Sequence, residues 1–189
     1  MRECTVPSAR SARRPDVAAL ELVGGIETRT LEVVDYDARW AALFSDHERR
    51  IRAVLPEALI EHIGSTSVPG LAAKPIIDIV VGVDDITAEE DYLLPLLAAG
   101  YLLRVREPGH RLVRTPALDV HVHIYRRDDD AVDRYLLFRD RLRNDAADRE
   151  LYASTKRRLI GLGFDDMNAY SDAKTDVIAG ILARAGSRL

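Results

Sequence analysis

The first half of the chain alternates between apolar runs of two kinds, one at helical spacing and one continuous. In residues 35–55 the apolar residues recur at helical spacing and predict an amphipathic helix. Residues 58–64, ALIEHIG, are typical of a strand, and residues 75–83, PIIDIVVGV, are typical of a strand covered on both faces. A short apolar stretch at 31–34 predicts one more strand.

The second half changes from mixed elements to helices. Residues 86–101 predict a helix that ends near Gly100. The pattern then predicts short strands at 101–107, 110–116 and 117–126, followed by helices at 131–145, 147–161 and 169–185. This order indicates an α/β or α+β domain in which helices flank a mixed β-sheet and the C-terminal part is helical.

Residues 1–29 differ from the rest because they have no sustained hydrophobic period and are rich in Arg, Ser and Ala. We interpret them as a flexible N-terminal extension or a short tethered segment. Residues 30–189 are long enough to bury a core and predict a single domain.

Composition excludes several classes of protein. The net charge of −4, with acids and bases well mixed, argues against a broad nucleic-acid-binding surface. The apolar runs are shorter than a membrane span, and the first residues lack the apolar core of a secretion signal. Cys4 is the only cysteine, so no internal disulfide or cysteine zinc site can form. We expect a cytoplasmic protein with no membrane partner; its oligomeric state stays open.

Lysine is scarce in this chain. Lys74, Lys156 and Lys174 are the only lysines among 27 basic residues. A GC-rich coding sequence explains the preference for arginine, although arginine is also a good bidentate phosphate ligand.

A loop rich in glycine and hydroxyl groups follows the strand at 58–64. Its candidate phosphate- or nucleotide-binding residues are Gly64, Ser65, Thr66, Ser67 and Lys74. Glycine lets a phosphate approach the backbone, the hydroxyls donate hydrogen bonds, and the lysine adds a positive charge. The alternative is a structural connection whose hydroxyls cap the backbone.

Carboxylate and imidazole groups stand on two of the predicted strands. Asp78 interrupts the apolar run at 75–83, and Asp119, His121 and His123 alternate with apolar residues so that they share one strand face. Together these four residues could bind a divalent metal, for which we expect Mg²⁺ or Mn²⁺ ahead of Zn²⁺. Alternatively one histidine acts as general base while Mg²⁺ binds Asp78 alone, or the strand only tolerates polar groups on a solvent face.

The spacing of the glycine-serine turn and Asp78 carries a resemblance. An Ile-Gly-Ser turn ending at Ser65, then twelve residues, then Asp78 in an apolar strand resembles the nucleotidyltransferase superfamily. The chain departs from that pattern at Val80, where a second metal-binding carboxylate is expected. The departure breaks the carboxylate pair of a two-metal site.

Longer blocks resemble the GrpB family. They are EHIGSTSVPGLAAKPIIDI (61–79), HVHIYR (121–126), LLFRDRLR (136–143) and LYASTKRRL (151–159). The resemblance implies a nucleotidyltransferase-like fold, which also occurs as the C-terminal domain of some dephospho-CoA kinases. It points to His121 and His123 as catalytic or metal-binding partners of Asp78. Arg111 and Arg139 match positions in the family blocks, where either could hold a phosphate.

Three functions follow as expectations. In the first, the domain binds a nucleotide or other phosphorylated small molecule and transfers a nucleotidyl group with a metal ion. In the second, it is a catalytically inactive ligand-binding or folding-assistance module, as the valine at position 80 suggests. In the third and weakest, it is a metal-dependent hydrolase that uses His121 and His123.

Overall fold

The structure is a computed structural model that describes residues 15–25, 32–161 and 172–186. Its strands are β1 (Glu21–Leu22), β2 (Leu59–Ile63), β3 (Ile77–Val83), β4 (Leu102–Glu107), β5 (His110–Arg114) and β6 (Val120–Arg126). Its helices are α1 (Arg39–Val54), α2 (Glu89–Ala98), α3 (Asp130–Asn144), α4 (Ala146–Gly161) and α5 (Thr175–Gly186), with a 3₁₀ turn at Ser65–Ser67.

The strands form one sheet in the order β1-β4-β5-β6-β3-β2. β3 and β6 are parallel, and the other neighbouring pairs are antiparallel. The predicted mixed sheet flanked by helices is therefore confirmed. The strand predicted at 31–34 is reduced, in its described part, to a single bridge between Val34 and Ala73.

Strand β3 divides the molecule because its side chains alternate between two layers. Ile77, Ile79, Val81 and Val83 belong to the large core that also contains residues of α1 and α2. On the opposite face, Val80 packs in a smaller cluster with Val132 of α3. A continuous apolar strand is stable here because both of its faces are covered.

Helix α3 packs on the face of the sheet that carries Val80, and helices α4 and α5 pack against α3 and against each other. They share an apolar cluster with the segment that follows the 3₁₀ turn, and its buried members are Val68, Leu71, Leu142, Tyr152, Ala153 and Ile181. The cluster fixes α4 next to the turn, so that Lys156 of α4 reaches Ser65. None of the helices in the described ranges combines the length and the apolar content that a membrane crossing requires.

Part of the expected N-terminal extension lies against the sheet. β1 pairs with β4, with Glu21 opposite Arg106. Asp16 accepts hydrogen bonds from the backbone N–H of Gly109 at 2.6 Å and from the Arg111 guanidinium at 2.6 Å. These contacts attach the described part of the segment to β4 and to the start of β5, while positions 1–14 and 26–29 lie outside the described residues.

Candidate functional site

The glycine-serine turn leaves β2 with a backbone that requires glycine. Gly64 has φ of 70°, a conformation that residues with a side chain rarely adopt. A Cβ built on Gly64 would lie 2.5 Å from Asp78 Oδ2. The sequence suggested that Gly64 makes room for a phosphate; in the structure, the space is taken by the carboxylate of Asp78.

The three hydroxyl groups of the turn have different roles. Ser67 Oγ donates to the carbonyl of Gly64 at 2.6 Å, and Thr66 Oγ1 donates to the carbonyl of Ile76 at 3.2 Å. Thr66 also pairs with His62 Nε2 at 3.1 Å. Ser65 Oγ instead accepts a hydrogen bond from Lys156 Nζ at 3.1 Å, so its own hydrogen can be donated to a ligand.

Asp78 and the two histidines meet because β3 and β6 are parallel neighbours. Asp78 lies opposite His121 in the register, and Val80 lies opposite His123. Asp78 Oδ1 is 3.6 Å from His121 Nδ1 and 3.8 Å from His123 Nε2. One ligand atom of each residue lies within 4.8 Å of the others. The strand alternation seen in the sequence thus becomes a three-residue cluster.

The donor set fits a transition-metal ion better than it fits Mg²⁺, because two of its three atoms are imidazole nitrogens. Metal bonds of about 2.1 Å at angles of about 90–110° set ligand atoms about 3.0–3.4 Å apart, a little closer than the distances here. Burial opposes ionisation of Asp78, but the neighbouring His123, His121 and Lys174 side chains outweigh it and lower its pKa. The carboxylate is therefore ionised, as a metal ligand must be.

Val80 marks where this site differs from a two-carboxylate site. Its side chain is fully buried and packs with Ile63 and Val132. A carboxylate at this position would be buried under helix α3 among apolar groups. The valine therefore belongs to the packing of α3 on the sheet.

A cavity of about 410 Å³ opens beside these groups. Its polar lining residues are Ser65, Thr66, Lys74, Asp78, His121, His123, Tyr135, Tyr152, Lys156 and Lys174, together with Ile63, Gly64, Ile76 and Leu112. All three lysines of the chain are among them. The cavity therefore combines a carboxylate-imidazole cluster with three amines.

Lys156 is the most deeply buried of these amines, with 3% of the residue exposed. Its ammonium donates to Ser65 Oγ and to the carbonyl of Ala72, and it lies 4.9 Å from the centre of the Tyr152 ring. Burial, and then the charges of Lys174 and Arg157, lower the pKa of Lys156 to about 7. Burial also lowers the pKa of Lys174, although Asp78 acts in the opposite direction.

Arg111, a predicted phosphate ligand, does not line the cavity. It is 1% exposed, and its guanidinium donates to Asp16 at 2.6 Å and to Glu89 at 2.7 Å. It also donates to the carbonyl oxygens of Glu107 and His110. Its charge is neutralised by the protein itself, so it serves the fold.

Arg139 and Asp119 are also outside the cavity. Arg139 donates to Glu61 at 2.7 Å, to Asp140 at 2.7 Å and to the carbonyl of His62 at 3.1 Å, which attaches α3 to β2. Asp119 accepts a hydrogen bond from Thr115 at 2.6 Å in the β5–β6 connection. Of the predicted site residues, the cavity contains Gly64, Ser65, Thr66, Lys74, Asp78, His121 and His123, and it does not contain Ser67, Arg111, Arg139 or Asp119.

Lys156 and Lys174 are cavity residues that no sequence motif indicates. The available signal is the scarcity of lysine, which codon usage also explains. A chain that uses arginine almost everywhere keeps lysine at three positions, and all three border one cavity. A compact ammonium fits there, whereas the longer planar guanidinium needs a fork of acceptors.

Comparisons with known proteins agree on one family. Residues 30–184 match the family model described as GrpB protein. A UPF0157 protein of Streptomyces coelicolor is 63% identical over 176 residues, which are 93% of this chain and 95% of that protein. A UPF0157 protein of Halalkalibacterium halodurans is 40% identical over an alignment of 188 residues that covers 95% of this chain and 96% of that protein. The crystal structure of conserved protein GrpB from Enterococcus faecalis has a TM-score of 0.73 and 32% identity, covering 83% of this chain and 98% of that chain.

Proposed function

The chain belongs to the GrpB family, and from this premise we propose that its cavity binds a nucleotide or another phosphorylated small molecule together with a divalent metal ion. One observation carries the proposal: the Asp78, His121 and His123 cluster borders the same cavity as all three lysines. A metal-binding cluster next to several amines suits a polyphosphate, whose oxygens are shared between a cation and ammonium groups.

The phosphate end of the ligand is held at the glycine-serine turn. Ser65 donates its hydroxyl hydrogen, while Lys156 holds the oxygen of that hydroxyl in place. Lys74 and Lys174 add positive charge along the cavity wall. In a partly enclosed cavity these charges act at a lower effective dielectric than in water, so each contact with a phosphate is stronger than it is at an open surface.

The metal end is held by Asp78, with His121 and His123 as further ligands. A bound divalent ion would neutralise phosphate charge and polarise a phosphoryl oxygen. The expected ion is Mn²⁺ or Mg²⁺, and the imidazoles favour Mn²⁺. If only Asp78 binds the ion, either histidine is close enough to act as a general base on a group beside it.

Transfer of a nucleotidyl group is the activity that best suits these parts, with one metal rather than two because Val80 is apolar. The valine also favours a second candidate, a module that binds the same ligand without turning it over. Hydrolysis of a phosphoester by the His121 and His123 pair is a third and weaker reading.

Binding is tested on protein purified without a histidine tag. Mn²⁺ is titrated alone and with each nucleoside triphosphate, and the bound Mn²⁺ is measured by electron paramagnetic resonance. We expect one Mn²⁺ per chain and loss of binding in Asp78→Asn. Asp119→Asn is the matched control, since Asp119 pairs with Thr115 outside the cavity. No Mn²⁺ or nucleotide binding at millimolar concentration would contradict the proposal.

Turnover is then followed with triphosphate labelled at the α-phosphate. Transfer of label that stops in Asp78→Asn supports the nucleotidyltransferase, and tight binding without transfer supports the inactive module. Release of phosphate from simple phosphoesters that is lost in His121→Ala supports the hydrolase.

A further inference from the structure

A histidine outside the cavity, His110 at the start of β5, connects the cluster to a surface carboxylate. His110 Nδ1 is 2.6 Å from Glu107 Oε1, and His110 Nε2 is 3.2 Å from His123 Nδ1. On the far side of its ring, His123 Nε2 faces Asp78 Oδ1. Glu107, His110 and His123 therefore form a continuous line that ends at the cluster.

The two histidine rings are nearly parallel and approach each other through their nitrogens. Their planes differ by 10°, and their centroids are 5.3 Å apart. That separation exceeds the 3.2 Å between the nitrogens by nearly two ring radii, so the rings meet edge to edge, as an in-plane hydrogen bond requires. Tyr125 stacks on the face of His110 with centroids 4.5 Å apart, which holds the His110 ring in this plane.

The direction of the hydrogen bonds along this line follows from Glu107, the residue at its surface end. An ionised carboxylate only accepts hydrogen bonds, so His110 Nδ1–H donates to Glu107. His110 is 8% exposed, and burial disfavours the doubly protonated ring, so its ring carries one proton near pH 7.5. Its Nε2 is therefore an acceptor, and His123 Nδ1–H must donate to it.

We propose that Glu107 and His110 are positioning residues that keep the proton of His123 on Nδ1 and leave an unprotonated Nε2 facing Asp78. His123 Nδ1 is 3.2 Å from its partner, whereas Nε2 is 3.8 Å from Asp78 Oδ1, which is beyond hydrogen-bond distance, so the hydrogen bond at Nδ1 selects the tautomer. The lone pair of Nε2 is the group that a metal ion binds, and a hydrogen bond at the other ring nitrogen fixes ring orientation and raises ligand basicity. The role of Glu107 and His110 in metal binding rests on the proposed function, whereas the tautomer of His123 is a property of the protein without metal.

The tautomer is tested without metal by long-range ¹H–¹⁵N spectra of the histidine side chains near pH 7.5. In the wild type we expect a protonated Nδ1 and an unprotonated Nε2 for His123, assigned with His123→Gln. Glu107→Gln keeps the shape of the side chain but can donate a hydrogen bond to His110 Nδ1. His110 Nε2–H then donates to His123 Nδ1, which moves the His123 proton toward Nε2. His110→Gln removes the ring that accepts from His123 and is expected to give a mixture. His47→Gln alters another buried histidine, paired with Tyr101 at 2.7 Å, and controls for general effects of mutation.

Metal affinity supplies the second measurement. Glu107→Gln and His110→Gln should weaken Mn²⁺ or Zn²⁺ binding by about 10–100-fold, while His47→Gln leaves it unchanged. A wild-type His123 with its proton on Nε2, or a tautomer that does not respond to Glu107→Gln, overturns the positioning role. Metal binding that is equally tight in all variants also overturns it. If the tautomers are as expected but no metal binds, the proposed function fails and the tautomer assignment stands.

Discussion

Two buried cations, Arg111 and Lys156, have hydrogen-bond partners of different charge. Arg111 is 1% exposed and Lys156 is 3% exposed. Arg111 has two carboxylate partners, Asp16 and Glu89, at 2.6 and 2.7 Å. The hydrogen bonds of Lys156 go to a hydroxyl and a backbone carbonyl, which are neutral.

The contrast separates a structural cation from one that is suited to a ligand. Burial works against the charge of Arg111, but its hydrogen bonds with Asp16 and Glu89 outweigh this effect and raise its pKa. Burial works against the charge of Lys156 in the same way, and without a carboxylate bonded to it the pKa falls to about 7. A buried charge is stable only when it is compensated. For Arg111 the chain supplies the compensation, and for Lys156 an anionic ligand would supply it.

The largest effect is expected from Arg111→Met. This change leaves Asp16 and Glu89 without their shared cation, so the free energy of unfolding should fall by about 3–5 kcal/mol, measured by urea denaturation. The affinity of the remaining folded protein for Mn²⁺ and nucleotide should not change, because Arg111 lies outside the cavity. A loss of nucleotide affinity without a loss of stability would mean that Arg111 is a ligand-binding residue after all.

Lys156→Met should change how the free energy of unfolding depends on pH. The folded pKa of Lys156 is about 7 and its ordinary value is 10.5, so between these values the unfolded chain holds a proton that the folded chain has released. Unfolding then takes up a proton, and stability rises with pH. Measured by urea denaturation, the free energy of unfolding of the wild type should rise relative to the variant by on the order of a few kcal/mol from pH 7 to 10.5, and the difference should be flat below pH 7.

The same variant should lose about 10–100-fold in affinity for a nucleoside triphosphate, the equivalent of one charge-assisted hydrogen bond of about 1.5–3 kcal/mol. Isothermal titration calorimetry measures this. Arg157→Met removes a charge on the exposed side of α4, where its side chain is 61% exposed, and should leave the nucleotide affinity unchanged. Equal affinities in the two variants would remove Lys156 from the ligand site.

The smallest effect is expected at an exposed pair. Arg49 and Asp46 form an ion pair on α1 with side chains that are 79% and 63% exposed. Arg49→Ala should change the free energy of unfolding by less than about 1 kcal/mol, because exposed pairs are screened by water and salt. A larger loss of unfolding free energy, measured by thermal or urea denaturation, would mean that exposed ion pairs also contribute strongly to the stability of this protein.

Local patterns were enough to predict most of the elements and part of the site. Alternation along β6 predicted that His121 and His123 share a face, and the polar interruption of an apolar strand identified Asp78. Both inferences depend only on neighbouring residues within one strand. Arg111 and Lys156 have partners far away in the chain, which local patterns do not reveal: Asp16 is 95 positions from Arg111, and Ser65 is 91 positions from Lys156.

The sequence by itself therefore determined most of the strands and helices and the face on which their side chains stand, because those depend on the geometry of a few consecutive residues. Only the tertiary structure decided which buried charges are neutralised by the protein and which remain beside a cavity. Electrostatic compensation acts through space between segments that the fold brings together, and nothing in the residues next to Arg111 or Lys156 indicates which segment that is.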